Sequence, residues 1–541
     1  MRFTKHAVLS RYIAAITWFS LTLLIGCSDD DHKKPSRSSS SASVSSSSSS
    51  SAANSSSASS IAASPYAGEW YAPAYGYVLS VSTQADGFGV KTYSVTEDYC
   101  LLQNVTPNLP QEKFEQSYSY SKLAKETLRK VNGQYAPGVE YEKIAQLPST
   151  CTEDLQTLKT DSGYAFNAER DFEIFWHTFN ELYINFELRG VDWDEAYEEA
   201  VNSLGDIHTE EELFEFLSEL IAPLGDGHAI LIHAPLSQNL DESITKALED
   251  EDTPNFSTNT QLRLYEKLLN EYVASLGSDD ELTEEQAAEA ENYIASNVDN
   301  IRETIFGYAD ENVGIKVRAA GEIAWFTTSD NIGYLFIGSM SDYTEGKSTV
   351  ISDVAVDVAI AEETINEALK DFEGTEGLII DVRFNGGGQD QVSLSFVRHF
   401  MSQPQVVYSK FAGRGDLATP VKEVVLDPPV DNLYLKPTAV LVSGDTGSAA
   451  ELFTIAMSSL PQVTIIGEPT AGAFSDVLVK RLTSDIIFGI SNETYLDTKG
   501  NNYEGVGIAA DISVAFGTPQ ERKGGYDNGL DTAIDWIKAY H

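Results

Sequence analysis

From Gly321 onward the chain alternates between two hydrophobic periods, and this constrains its fold more than any other feature. Ile332–Ile337, Gly377–Val382 and Thr438–Ser443 are apolar runs, each the length of one strand. Helical spacing runs over Val350–Phe372 and again over Ala449–Met457. A strand that is apolar at every position has both faces covered, and alternation with helices supplies the cover, so the segment predicts an α/β core. Ahead of it the text changes twice. Between Tyr66 and Ala165, Glu69-Trp70-Tyr71, Tyr77–Val81 and Val90–Tyr93 alternate between Gly and Asn breaks, as strands of a small antiparallel unit do. At Arg170 the period becomes helical: Phe172, Phe175, Trp176, Phe179, Leu182 and Tyr183 share one face, and Glu212–Leu220 repeats the pattern. Residues 236–310 are acidic and mostly helical, with a capping start at Thr283–Gln286. The expected division is a β-rich unit over 66–165, a helical subdomain over 168–235, an acidic helical insert over 236–320 and a core over 321–541.

The first residues carry an address. Arg2, Lys5, His6 and Arg11 precede an apolar run, Tyr12–Ile25, which is too short to cross a bilayer and reads as a secretory signal. It ends Leu24-Ile25-Gly26-Cys27, resembling a bacterial lipobox in which Cys27 becomes acylated. Ser28 follows instead of the Asp that signals inner-membrane retention, so the reading leans towards the outer membrane of a bacterial cell envelope. Residues 28–64 are mostly Ser and Ala and cannot bury enough surface to offset ordering entropy, which makes them a tether. In an exported chain, Cys100 and Cys151 are expected to pair as a disulfide. Acidic side chains outnumber basic ones by 82 to 36, for a net charge of −46. Such a surface repels phosphates, so nucleic acid is excluded as a partner. No cysteine or histidine spacing suggests a metal, and no cofactor is expected.

Two candidate reactive segments follow apolar strands, where α/β sites collect. Asp381–Gly388 ends in three glycines that can bring backbone N–H groups close to an anion, or make a tight turn. In Ser443–Glu451, Ser448 stands where the chain enters the helix Ala449–Met457, a place for an exposed nucleophile and equally for an N-cap. A serine nucleophile needs a base. Of eight histidines, His6 and His32 lie in the signal and tether, His541 is terminal, His177 and His399 fall in apolar helical patterns, and His208 and His233 carry no local signal. His228 remains, in the turn Gly225-Asp226-Gly227-His228.

In this order, with Gly467–Gly472 and Tyr503–Asp511, these motifs resemble the C-terminal processing peptidase, or tail-specific protease, family of serine peptidases. The match runs over about 320–515 and more loosely over 168–235. The resemblance implies a crotonase-like α/β core and acyl-enzyme cleavage of peptides or unfolded tails. The family's Ser-Lys dyad is not matched, because Ala473 follows the Gly467–Gly472 motif and Lys480 lies seven residues further on. The tricorn-core branch is closer: His228, Ser448 and Glu504 match its base, nucleophile and carboxylate, with Gly227 in place of its second serine. The resemblance assigns the oxyanion to the N–H groups of Gly387 and Ala449, with Gly388 the alternative donor. Residues 236–320 lack the strand alternation of the PDZ domain common in the family, so substrate selection must work otherwise. Arg383, Lys480 or Arg481 could pair a substrate carboxylate, or serve as structural ion pairs. The related interphotoreceptor retinoid-binding protein makes a non-catalytic binding protein the alternative function.

Overall fold

The computed structural model describes residues 64–123, 125–131, 138–235, 263–277, 282–344 and 354–540, with short pieces at 2–3, 237 and 256–258. Apart from residues 2–3, the signal lies outside the described residues, as does nearly all of the tether, Cys27 included.

The core is a seven-stranded sheet in the order Lys316–Arg318, Ile323–Thr327, Gly333–Ile337, Leu378–Asp381, Thr438–Val442, Val463–Gly467, Ile512–Ser513. The first two pairings are antiparallel and the remaining four parallel. Successive side chains of a strand point to opposite faces, and both faces are apolar here. Leu335, Leu378, Ile380, Val440 and Val442 pack under the helices Val354–Asp371, Asp390–Val397 and Ala449–Ser458. Tyr334, Ile379, Ala439, Leu441 and Ile466 pack under the other layer, made by Arg263–Leu276, Glu284–Phe306 and Asn528–Ala539. The described helices of the acidic insert expected over 236–320 thus cover one sheet face, through Leu268, Leu269, Ile294 and Ile301. Thr283 and Gln286 close the capping box that the sequence indicates. The helix expected from Val350 is described from Val354, since 345–353 lie outside the described residues.

Residues 68–144 form a second seven-stranded sheet, antiparallel throughout, around Trp70, Leu79, Phe88, Phe114 and Leu128. Cys100 and Cys151 are joined as a disulfide that ties its edge strand Cys100–Pro110 to the short helix Ser149–Thr152. The helical subdomain packs Phe172, Phe175, Phe179 and Leu217 against Phe488 and Ile490 of the core segment. Directly after His228, strand Ile230–His233 pairs antiparallel with Ile486–Ser491, which pairs in turn with Val477–Arg481. This pairing anchors the histidine turn to the core. No described helix is long and apolar enough to cross a membrane.

Candidate active site

The site lies at the carboxyl ends of three adjacent parallel strands, where loops 382–389, 443–448 and 468–476 meet. Ser448 precedes the helix Ala449–Ser458 but does not cap it: its side chain makes no cap hydrogen bond, and its backbone stands at φ 50°, ψ −124°. A non-glycine residue held at positive φ is strained, and such strain persists only where surrounding contacts impose it. Here they do. Ser448 N–H donates to the Ala473 carbonyl at 3.0 Å, and the Ser448 carbonyl accepts from Glu451 and Leu452 N–H. The hydroxyl is left half-exposed at the positive end of a buried helix.

Gly387 has to be glycine. Its φ is 118°, and a Cβ there would stand 2.6 Å from Ser448 Cβ and 3.1 Å from Ala449 N. Its own N–H, however, is donated to Asn385 Oδ1 at 2.9 Å. The expected oxyanion donor is therefore occupied by the buried Asn385 side chain, whose Nδ2 donates to the Ile337 carbonyl. Gly388 is exposed, at φ 134°, and its N–H has no partner among the described residues. The N–H groups of Gly388 and Ala449, the first helical amide, have no backbone acceptor among the described residues, while Gly387 shapes the loop against Ser448.

His228 and Glu504 reach this place through the loop 472–476. Glu504, 5% exposed, accepts from Phe474 N–H at 2.9 Å and Ser475 N–H at 3.1 Å through Oε2, and from Arg189 Nη2 at 3.0 Å through Oε1. Burial, then repulsion from Asp226, pushes its pKa up to about 8, against the two amides and Arg189. The Ser475 backbone hydrogen-bonds the imidazole of His228, while Nδ1 is buried with no hydrogen-bond partner. Burial lowers the His228 pKa, with Asp226 and Asp476 opposing. One residue, Ser475, thus stands between Glu504 and His228, where the related tetrad would use a second serine.

Three positioning residues escaped the sequence reading. Asp226, fully buried, accepts from His228 N–H at 2.9 Å, Tyr183 hydroxyl at 2.9 Å and Ser491 hydroxyl at 3.1 Å, which locks the histidine turn. Arg189 donates to the Gly225 carbonyl at 3.1 Å as well as to Glu504, joining turn and carboxylate. Glu451 accepts from Thr470 hydroxyl at 2.6 Å, Gly472 N–H at 2.7 Å and Ala473 N–H at 2.8 Å, tying the helix after Ser448 to the loop that holds Ser448 N–H. Asp226's place in the His228 turn and Glu451's inside the Ser448 motif were the hints the sequence held, and Arg189 had none.

Of the three cations that could pair a substrate carboxylate or serve structure, Arg383 and Lys480 are spent on structure. Arg383 is buried between Asp381 at 2.6 Å and Asp527 at 2.8 Å. Lys480 donates to the carbonyls of Tyr75 at 2.7 Å and Gly76 at 3.1 Å and lies over the Tyr77 ring, away from Ser448. Arg481, also buried, donates to the Ser237 carbonyl at 3.1 Å. Among the described residues no group of three or more His, Cys, Asp or Glu could hold a metal ion.

Residues 331–514 match the model of peptidase family S41, and residues 167–222 match the tricorn protease C1 domain. The likeness to the S41 peptidases thus lies in the first of these segments, which carries Ser448 and Glu504. The chain is 26% identical over 180 residues to a carboxy-terminal-processing protease of Bartonella bacilliformis, covering 31% of this chain and 40% of that protein. Over 333 residues it is 23% identical to a carboxyl-terminal-processing protease of Synechocystis, covering 58% and 73%. A crystal structure of a candidate peptidase from Parabacteroides merdae covers 69% of this chain and 98% of that one, at 23% identity and TM-score 0.51. That likeness supports the mixed α/β fold.

Proposed function

We propose that this chain is a serine endopeptidase of the cell envelope that cleaves peptides or unfolded protein tails. The observation that carries it is Ser448: uncapped, held at positive φ, its hydroxyl open at a helix N-terminus beside free amides. Ser448 Oγ attacks the scissile carbonyl while His228, neutral because burial lowers its pKa, accepts the hydroxyl proton. Gly388 and Ala449 N–H groups receive the oxyanion. Collapse expels the amine, which takes the proton from His228, and water then repeats the sequence on the acyl-enzyme. Glu504 holds the loop that orients His228 and does not touch the reacting atoms. On this reading the core is crotonase-like, and the similarity to carboxyl-terminal-processing proteases supports cleavage near chain ends.

A fluorophosphonate probe tests the chemistry. Labelling of Ser448 in folded protein, abolished in Ser448→Ala, is the expected result. Absence of labelling points instead to a binding protein on the same scaffold. Acylation of Cys27 would hold the enzyme at the membrane through its tether, so Cys27→Ala should release it with peptidase activity intact. Retention of that variant in the membrane fraction would refute the anchor.

A further inference from the structure

A turn of the β-rich unit reaches into the polar network behind His228. Pro73 presets φ at the first position and Gly76, at φ 54°, closes the turn, so Pro73–Tyr75 makes a single 3-10 turn between two antiparallel strands. Two of its groups leave the unit for the core. The Ala74 carbonyl accepts from Asn492 Nδ2 at 3.0 Å, and the Tyr75 hydroxyl donates to Glu493 Oε1 at 2.6 Å.

The receiving segment, Ser491-Asn492-Glu493, touches the supports of the histidine as well. The Ser491 hydroxyl donates to Asp226, the acid that locks the His228 turn. Glu493 N–H donates to Ser475 Oγ at 3.1 Å. Ser475 is the residue whose own N–H Glu504 holds and whose backbone bonds the imidazole. Ser475, Ser491, Asn492 and Glu493 are all buried, so each polar group depends on the partner the fold supplies. Glu493 joins the two sides. Its Oε2 takes Lys410 at 2.7 Å and the Tyr495 hydroxyl at 2.9 Å, while Oε1 has the Tyr75 hydroxyl as its one donor among the described residues. Without that hydroxyl a buried carboxylate oxygen is left unsatisfied, a cost that turns the side chain and shifts the backbone holding Ser475.

We propose that Tyr75 and Glu493 are positioning residues for His228, and that the β-rich unit thereby helps to hold the active site. The proposal rests on the peptidase reading and gives that unit a task in it. Docking of the unit does not hang on the Tyr75 hydroxyl. Asn492, Lys480 through the Tyr75 and Gly76 carbonyls, and the Tyr77 hydroxyl on the Val479 carbonyl hold the same turn. Loss of the Tyr75 hydroxyl therefore separates alignment from attachment.

The test sets Tyr75→Phe against Tyr77→Phe, which each remove one hydroxyl from the same unit, only the first of them bonded to Glu493. Tyr75→Phe should lower kcat at least about tenfold, since a small misplacement of a catalytic group is enough for that, and leave KM for short peptides unchanged. The acid limb of its pH profile should move to lower pH, because the Ser475 contact that weakens here favours the charged imidazole. Tyr77→Phe should keep wild-type kcat and the wild-type limb. Wild-type kcat and pH limb in Tyr75→Phe would overturn the proposal, and so would equal losses in the two variants, which would make both hydroxyls simple docking contacts. Hydrogen exchange reads the coupling without catalysis. Amides of residues 472–476 should exchange faster in Tyr75→Phe than in wild type, and unchanged exchange there would refute the coupling. If wild type neither cleaves peptides nor takes the fluorophosphonate probe, the peptidase reading falls, while faster exchange over 472–476 in Tyr75→Phe leaves the coupling standing.

Discussion

Burial acts on His228 and Lys480 in the same direction, lowering both pKa values, with opposite consequences. A neutral imidazole is a base able to accept a proton, as the proposed mechanism asks of His228, whereas Lys480 is committed to the Tyr75 and Gly76 carbonyls. Activity should therefore rise with pH as His228 loses its proton, with a midpoint below the ordinary 6.5, and then hold level. His228→Ala should lower kcat at least about 10³-fold with the fold retained by circular dichroism. Lys480→Met, which keeps the buried volume, should leave most activity and an unchanged pH limb. A limb that vanishes in Lys480→Met would assign the base to the lysine.

Among the elements, the glycine loop and the disulfide bear different loads. Gly387→Ala places a methyl group 2.6 Å from Ser448 Cβ at a φ of 118°, so either the loop or the serine must move. Loss of the aligned oxyanion donors should cost about 10²–10³ in kcat, with little change in KM for short peptides. Steady-state kinetics with intact Tm would separate this from unfolding. The Cys100–Cys151 bond closes a loop with a sequence separation of 51 at the edge of the antiparallel sheet. Opening it with paired serine substitutions should cost that unit about 4 kcal/mol on the chain-entropy account. Denaturant unfolding followed at Trp70 would read the loss, since that ring sits in the same sheet's core.

Over the whole molecule the buried acids set the pH of greatest stability. Glu322, Asp390, Asp445 and Glu451 are pushed up to about 7 and Glu504 to about 8, each first by burial. A carboxyl whose folded pKa lies above its unfolded value binds its proton more tightly when folded. Its contribution is full below the unfolded pKa and is lost as pH rises through the folded one. The net charge of −46 adds repulsion in the same direction. Thermal melts should therefore give a higher Tm at pH 5 than at pH 8. Equal or higher Tm at pH 8 would mean that these carboxyls are ionised in the fold at no cost. Because burial also lowers the His228 pKa, activity should persist into the mildly acidic range where the fold is firmest.

What the sequence determined by itself is what local physics controls. Apolar runs and helical periods placed the core strands, the helix behind Ser448 and the capping box at Thr283, because burial of a face and satisfaction of a helix end are decided within a few residues. The glycines of 386–388 and the serine before a helix stood out as candidates for the same reason. Tertiary structure alone decided which polar groups are spent and which are free. Arg189 meets Glu504 across 315 residues, Glu451 meets Ala473 across 22, and Lys410 meets Glu493 across 83. No period or spacing encodes such pairs. The occupation of Gly387 N–H by Asn385 is local, yet it depends on a backbone path that the Ile337 carbonyl holds in place.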